Sequence, residues 1–225
     1  MYKNGHELAK NFFTPENASS YDKVVKYATF GFDNLWKREM NKKIRVDDKC
    51  ILDLACGTGI MASLIHFDNL RTVIGSDLVF EYLLHAKKLR YSLLTNSVAE
   101  YLPYKSSIFD VIMSSYLVKY ANLKIMIEEH WRILKKGGIV IFHDFSYPTN
   151  VIMRSLWIGY FLILNGIGRF LTSWKNAFSD LDRVIKESHW TTELVTELEK
   201  QGFISVIKRY YTYKTAAIVC ATKPY

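Results

Sequence analysis

Asp53, Ala55, Gly57 and Gly59 occur at alternate positions behind the apolar run Cys50-Ile51-Leu52, and this spacing is the part of the chain closest to a defined chemistry. An Ile- and Leu-rich segment that stops at two glycines, with helical spacing resuming from Met61, reads as strand, tight turn and helix N-terminus. Such a unit brings backbone N–H groups up to a ligand, and Gly57 and Gly59 let the main chain approach it without a Cβ in the way. Val73-Ile74-Gly75-Ser76-Asp77 reads as the next strand. It ends in an acid about 20 residues past the turn, where a carboxylate that grips a ribose diol is expected. The implied chemistry is recognition of a nucleoside. The pattern, Asp53-x-Ala55-x-Gly57-x-Gly59, differs from the G-x-G-x-x-G of dinucleotide sites.

The elements that must hold these residues alternate along the chain. Helical spacing is loose over 21–40 and clearer over 81–89, where Leu83, Leu84 and Ala86 are expected inward. Strands are expected at 91–94, at 109–114 and at 139–142, the last entered through a glycine turn at Lys135-Lys136-Gly137-Gly138. A helix over 125–134, another ending at Gly202, and strands at 204–207 and 216–221 complete the series. The resulting class is α/β, a mostly parallel sheet covered on both faces. Residues 1–18 read as a polar, mobile arm. The uncharged run SLWIGYFLILNGIG, residues 155–168 between Arg154 and Arg169, interrupts the alternation. It is too short to span a bilayer, and reads either as a buried helix or as an apolar lid or interfacial helix that handles a greasy substrate.

With 225 residues the chain is sized for one domain with a sizeable core, expected to comprise a helical cap over 1–48 and a helical, apolar lid insertion over 147–190. The net charge of +8 is spread in short clusters with no dense basic tract, so nucleic acid is not an expected partner. Cys50, Cys56 and Cys220 have no metal-type spacing and no metal is expected. No apolar signal segment opens the sequence, and the cytoplasm is the expected compartment.

The turn resembles the first motif of class I S-adenosylmethionine (SAM) methyltransferases, and most of the chain resembles the ubiquinone/menaquinone-biosynthesis C-methyltransferase family. Tyr21-Asp22, Thr29-Phe30-Gly31 and Trp36-Lys37 match its N-terminal YD…SFG…WR pattern. Ala99-Glu100-Tyr101-Leu102-Pro103-Tyr104 resembles AExLPF, and Phe109-Asp110-Val111 matches FDV. Residues Arg132 to Gly138 resemble RVLKPGG, and Asp144-Phe145-Ser146-Tyr147-Pro148 resembles EFSKP. The resemblance implies a three-layer Rossmann-like fold with seven strands, one antiparallel near the C-terminus. It implies SAM as cofactor and S-adenosylhomocysteine as product. Ala55, Cys56, Gly57, Thr58 and Gly59 should face the methionine end. Asp77 should take the ribose hydroxyls, Leu78, Val98 and Ala99 should lie along the adenine, Ser115 should meet the methionine portion, and Tyr21 should close over the cofactor. Val98 stands where the family has Asp or Asn, and Lys119 and Tyr120 where it has Arg and Asn.

The resemblance further implies methylation of a small apolar, quinol-like or phenolic ring, with a prenylated quinol as the type of acceptor. A ring carbon becomes nucleophilic when a neighbouring phenol ionises, and a phenol with a pKa near about 10 needs help to do so. Lys119, as cation or proton relay, and Asp144, at the end of the 139–142 strand, are the catalytic candidates; a solvated loop lysine is the alternative for Lys119. His143 is expected to pack under a helix. Peripheral membrane contact and a homodimer are compatible with this assignment. Two other readings stay open: a methyltransferase for another hydrophobic acceptor, and a non-catalytic scaffold subunit with this fold. Base methylation on RNA fits poorly, since Ser114-Ser115-Tyr116-Leu117 stands in place of an Asn-Pro-Pro-Tyr-like loop.

Overall fold

The computed structural model describes residues 5–65 and 71–225. The chain opens with helices α1 (Gly5–Phe12), α2 (Tyr21–Ala28) and α3 (Phe32–Asn41), then alternates β1 (Cys50–Leu54), α4 (Ile60–Leu64), β2 (Thr72–Asp77), α5 (Phe80–Ala86) and β3 (Leu93–Asn96). It continues through β4 (Phe109–Ser115), α6 (Leu123–Ile133) and β5 (Leu134–Phe145). Two helices, α7 (Val151–Gly168) and α8 (Lys175–Glu187), precede α9 (Trp190–Gln201) and the hairpin β6 (Ile204–Tyr211) and β7 (Ala216–Thr222).

The seven strands form one sheet in the order β3-β2-β1-β4-β5-β7-β6, parallel except for β7, which runs antiparallel to both neighbours. Side-chain alternation splits the central strands between two cores. Leu52, Ile112, Val140 and Val219 face α6 and α9. Ile51, Val111, Ile141 and Ile218 face Met40 of α3 and Met61 of α4. A third cluster joins α1, α2, α7 and α8 through Phe12, Tyr21, Phe161 and Phe178, above the strand ends where open α/β sheets bind ligands.

Several local expectations are corrected. Residues 5–12 form a helix rather than a mobile arm: Phe12 is buried, Asn17 Nδ2 donates to the Phe12 carbonyl at 3.1 Å and to that of Ser173 at 3.0 Å, and Gly5 lies so near the Tyr120 carbonyl that a Cβ would approach its oxygen to 2.0 Å. Residues 1–4 lie outside the described part. Leu84 is half exposed, with Leu83 and Ala86 inward as expected. The third strand starts at Leu93, because Tyr91 turns its hydroxyl to Asp53 at 2.5 Å. Lys135 to Gly138 is no turn: α6 passes straight into β5, and Gly137, at φ +73°, absorbs the irregularity inside the strand. The run 155–168 lies within α7, where Trp157, Phe161, Leu164 and Gly168 make one buried seam and most other positions are exposed.

Candidate active site

The loop after β1 carries the first group of residues. Ala55 and Gly57 take left-handed backbone angles, φ +54° and +56°, and Gly59 reaches φ +90°. A Cβ at Gly59 would come within 2.6 Å of Leu89. The loop is held from two sides. Asp77, at the end of β2, accepts from Gly57 N at 2.7 Å and from Val79 N at 2.9 Å, and Thr58 Oγ1 donates to Asp22 at the start of α2. Burial pushes the Asp77 carboxyl up to about 6, against the pull of the Val79 and Gly57 N–H groups. Each of its oxygens accepts one such N–H, and an ionised carboxylate has about four acceptor sites, so room remains for a diol.

Two small voids flank this loop. One, about 80 Å³, is lined by Asp77, Leu78, Val98 and Ala99, together with Ala9 and Phe13 of the N-terminal segment. The other, about 30 Å³, is lined by Asp53, Cys56, Thr58 and Lys37. Ala55, Gly57, Ser115, Tyr116 and Tyr21 border both. The residues singled out in the sequence along this edge therefore lie around one cleft divided into two voids with a shared wall, and Gly59 lines neither void.

A much larger cavity, about 650 Å³, adjoins the cleft. Tyr21 and Tyr116 line it and both voids, and Phe13 and Tyr120 line it and the larger void. Its remaining walls come from α2, α7 and α8 and are almost wholly apolar, including Val25, Leu156, Phe161 and Phe178. Among the described residues that line the cavity, Lys119 is the one that carries a charge. It is not a solvated lysine: its side chain is 1% exposed, ion-paired with the fully buried Asp144, and set against the rings of Tyr120 and Phe145. Asp144 lies behind Lys119 and does not line the cavity. Burial weakens both charged forms, lowering the Lys119 pKa and raising that of Asp144, while each partner opposes the shift of the other. His143, one residue earlier on β5, packs between Trp36 and Tyr116, as expected of a histidine under a helix. Burial drives its pKa down to about 3, so it is neutral near neutral pH.

A second buried group escaped the sequence reading as a set. Asp33 accepts from Lys37 Nζ at 2.8 Å and from the Tyr116 hydroxyl at 2.7 Å, and Lys37 lies over the Tyr116 ring. Lys37 is 4% exposed and faces the void beside Thr58. The available signal was the i, i+4 spacing of an acid and a lysine, which on most helices marks a solvated pair. The β6–β7 turn was missed too: Thr212, Tyr213 and Lys214 all have positive φ, and Thr212 accepts from Trp36 Nε1 at 2.9 Å while lining the cavity. Backbone strain of this kind concentrates at functional sites.

A Rossmann-like sheet of this order, with a glycine loop after β1 and an acid ending β2, defines the SAM-dependent methyltransferase class. Its architecture superposes on a crystal structure from Methanococcus maripaludis described as an S-adenosyl-L-methionine-dependent methyltransferase, with a TM-score of 0.68 and 15% identity over 95% of this chain and 94% of the other. Within that class the chain belongs to the ubiE/COQ5 methyltransferase family, whose model matches residues 3–223. It is 31% identical over 221 residues to the demethylmenaquinone methyltransferase of Streptomyces avermitilis, covering 96% of this chain and 94% of that one. It is 30% identical to the ubiquinone/menaquinone biosynthesis C-methyltransferase of Blochmanniella pennsylvanica, covering 92% and 86%. The protein is a SAM-dependent methyltransferase.

Proposed function

We propose that this enzyme methylates a ring carbon of a hydroquinone or related phenol that carries an apolar tail, the class of acceptor for which its relatives are named. The observation that carries the reading is the apolar cavity of about 650 Å³ adjoining the cleft, with Lys119 as the single charged residue among the described residues that line it.

The residues of the cleft suit SAM in charge and donor chemistry. Lys37 and Thr58 would hold the methionine carboxylate and its surroundings, Asp77 the ribose diol, and Leu78, Val98 and Ala99 the adenine, with Ser115 and Tyr116 along the middle. Val98 supplies apolar contact only, leaving the adenine edge to the Ala99 backbone. Outward movement of Tyr21, which borders both voids, would join them into one site, and its return would exclude water. When bound, the cofactor supplies a methyl on a sulfonium, whose C–S electrons leave with sulfur as a ring carbon attacks. The chain's own task is to align that carbon and ionise the neighbouring phenol. Burial lets Lys119 give up its proton more readily than an exposed lysine. With that proton passed to Asp144, which also positions the lysine, the amine can take the phenol proton and remain beside the phenolate as a cation. Once the ring carbon holds the methyl, its own hydrogen leaves as a proton to solvent and the ring is aromatic again.

Purified enzyme supplied with SAM and a reduced demethylmenaquinone tests the assignment. Mass spectrometry should show the ring gaining one methyl group, and an analogue without the tail should react with kcat/KM lower by about 100-fold or more, given roughly 0.8 kcal/mol per buried methylene. No methyl gain with any hydroquinone, or equal turnover with and without the tail, would remove this acceptor class.

A further inference from the structure

Beyond its buried seam, α7 remains apolar. Leu162 and Ile163 are 67% and 65% exposed, and Phe170, just past the helix, is 87% exposed. Phe30, at the tip of the α2–α3 turn, is 77% exposed and its ring lies 5.9 Å from that of Tyr160 on α7. Contiguous apolar surface of this kind marks an interaction site. We propose that this face docks on the surface of an anionic phospholipid bilayer, with α7 lying in the plane of the interface, so that an acceptor tail passes from the bilayer into the cavity.

Three observations favour a bilayer. First, the cavity opens through this face: Phe30, Leu156, Gly159 and Ile163 are exposed and also line it. A tail leaving the cavity meets apolar surface rather than water; this part of the inference rests on the acceptor reading above. Second, α7 is a surface helix and not a span. Its 18 residues extend about 27 Å, which would suffice to cross a hydrocarbon core, yet Trp157, Phe161, Leu164 and Gly168 are committed to the protein interior. One side in protein and the other apolar is the disposition of an interfacial helix. Third, the charge is one-sided. Segments 21–30 and 151–175 carry Lys23, Lys26, Arg154, Arg169 and Lys175 against a single acid, Asp22, which Thr58 engages. Basic residues flanking an apolar helix favour anionic headgroups. A second copy of the chain on the same face would bring the same positive charge against it.

Flotation of the full chain with vesicles tests the proposal, using phosphatidylcholine alone and phosphatidylcholine with phosphatidylglycerol. The comparison variant is Leu162→Glu/Phe170→Glu, since neither residue lines the cavity. The wild type should bind the anionic vesicles, and the variant should bind at least about tenfold less with unchanged melting temperature and SAM affinity. Failure of the wild type to float, or equal binding by the variant, would overturn the proposal. So would a dimer in sedimentation velocity that the same substitutions dissociate without any vesicle binding. The assay contains no acceptor, so docking without hydroquinone methylation would discard the acceptor class and keep the surface. Methylation without docking would do the reverse.

Discussion

Ala55 shows how a residue that looks interchangeable by size is constrained by its backbone. In the sequence it is a small residue in place of glycine. In the structure it has φ +54°, a region that costs an L-residue roughly 1–2 kcal/mol. Ala55→Gly should stabilise the protein by up to about 1 kcal/mol, because relief of strain outweighs the added freedom of the unfolded chain. Chemical denaturation checks this, and SAM affinity should be retained. Asp77 makes a second residue-level prediction. Its folded pKa is raised to about 6 from 3.8, and the ionised form is the better acceptor for a diol. SAM affinity should therefore be full above pH about 6 and fall by up to about tenfold per pH unit below it. Calorimetric titration across that range should also find that Asp77→Asn binds more weakly and loses the pH dependence.

At the scale of elements, the site is made where segments meet. Lys119 follows β4 and Asp144 is the last residue but one of β5, and neighbouring strands bring them together across 25 residues of sequence. Lys119→Met alone strands a buried carboxylate and should destabilise by about 3–5 kcal/mol. Lys119→Met/Asp144→Asn removes both charges and should restore the melting temperature and SAM affinity, with the methylation rate still lower by about 100-fold. A double variant with normal turnover would make the pair structural. On α7, Gly159 lines the cavity and has open space where a Cβ would go. Gly159→Leu should raise helix stability by about 0.5–1 kcal/mol and raise KM for a tailed acceptor more than for a tail-less one, with SAM binding unchanged. Steady-state kinetics with the two acceptors separates these effects.

The whole molecule sets properties that no single element carries. His130 is buried against Phe142, and burial drives its pKa down to about 3 from 6.5. The unfolded chain takes up that proton first as the pH falls, so His130 contributes a loss of stability between pH about 6.5 and 3. The raised carboxyls of Asp53 and Asp77, at about 7 and about 6, act in the opposite sense, since the folded chain takes up their protons first. The two effects are separated by subtraction: relative to wild type, His130→Phe should gain about 3 kcal/mol between pH about 7 and 4, measured by urea denaturation at each pH. The sequence by itself determined the β1 loop, Asp77 and the alternation of strands and helices. Each of these follows from side-chain periodicity and backbone preferences within a few dozen residues. The tertiary structure alone decided where Lys119, Lys37 and the 155–168 run lie and what surrounds them. In sequence Lys119 is a catalytic candidate or a solvated loop lysine, and Lys37 one half of an i, i+4 pair, until neighbouring elements are seen to close over both. The run could be core, lid or interfacial helix until its buried seam, Trp157, Phe161 and Leu164, is seen both packed inward and lining the cavity, with most other positions exposed. That cavity joins segments as remote as Ala28 and Tyr160, 132 positions apart and linked by a hydrogen bond. Local sequence specifies the elements and their amphipathic faces, but a cavity is the space left between distant elements after they pack, so only the packed chain defines it.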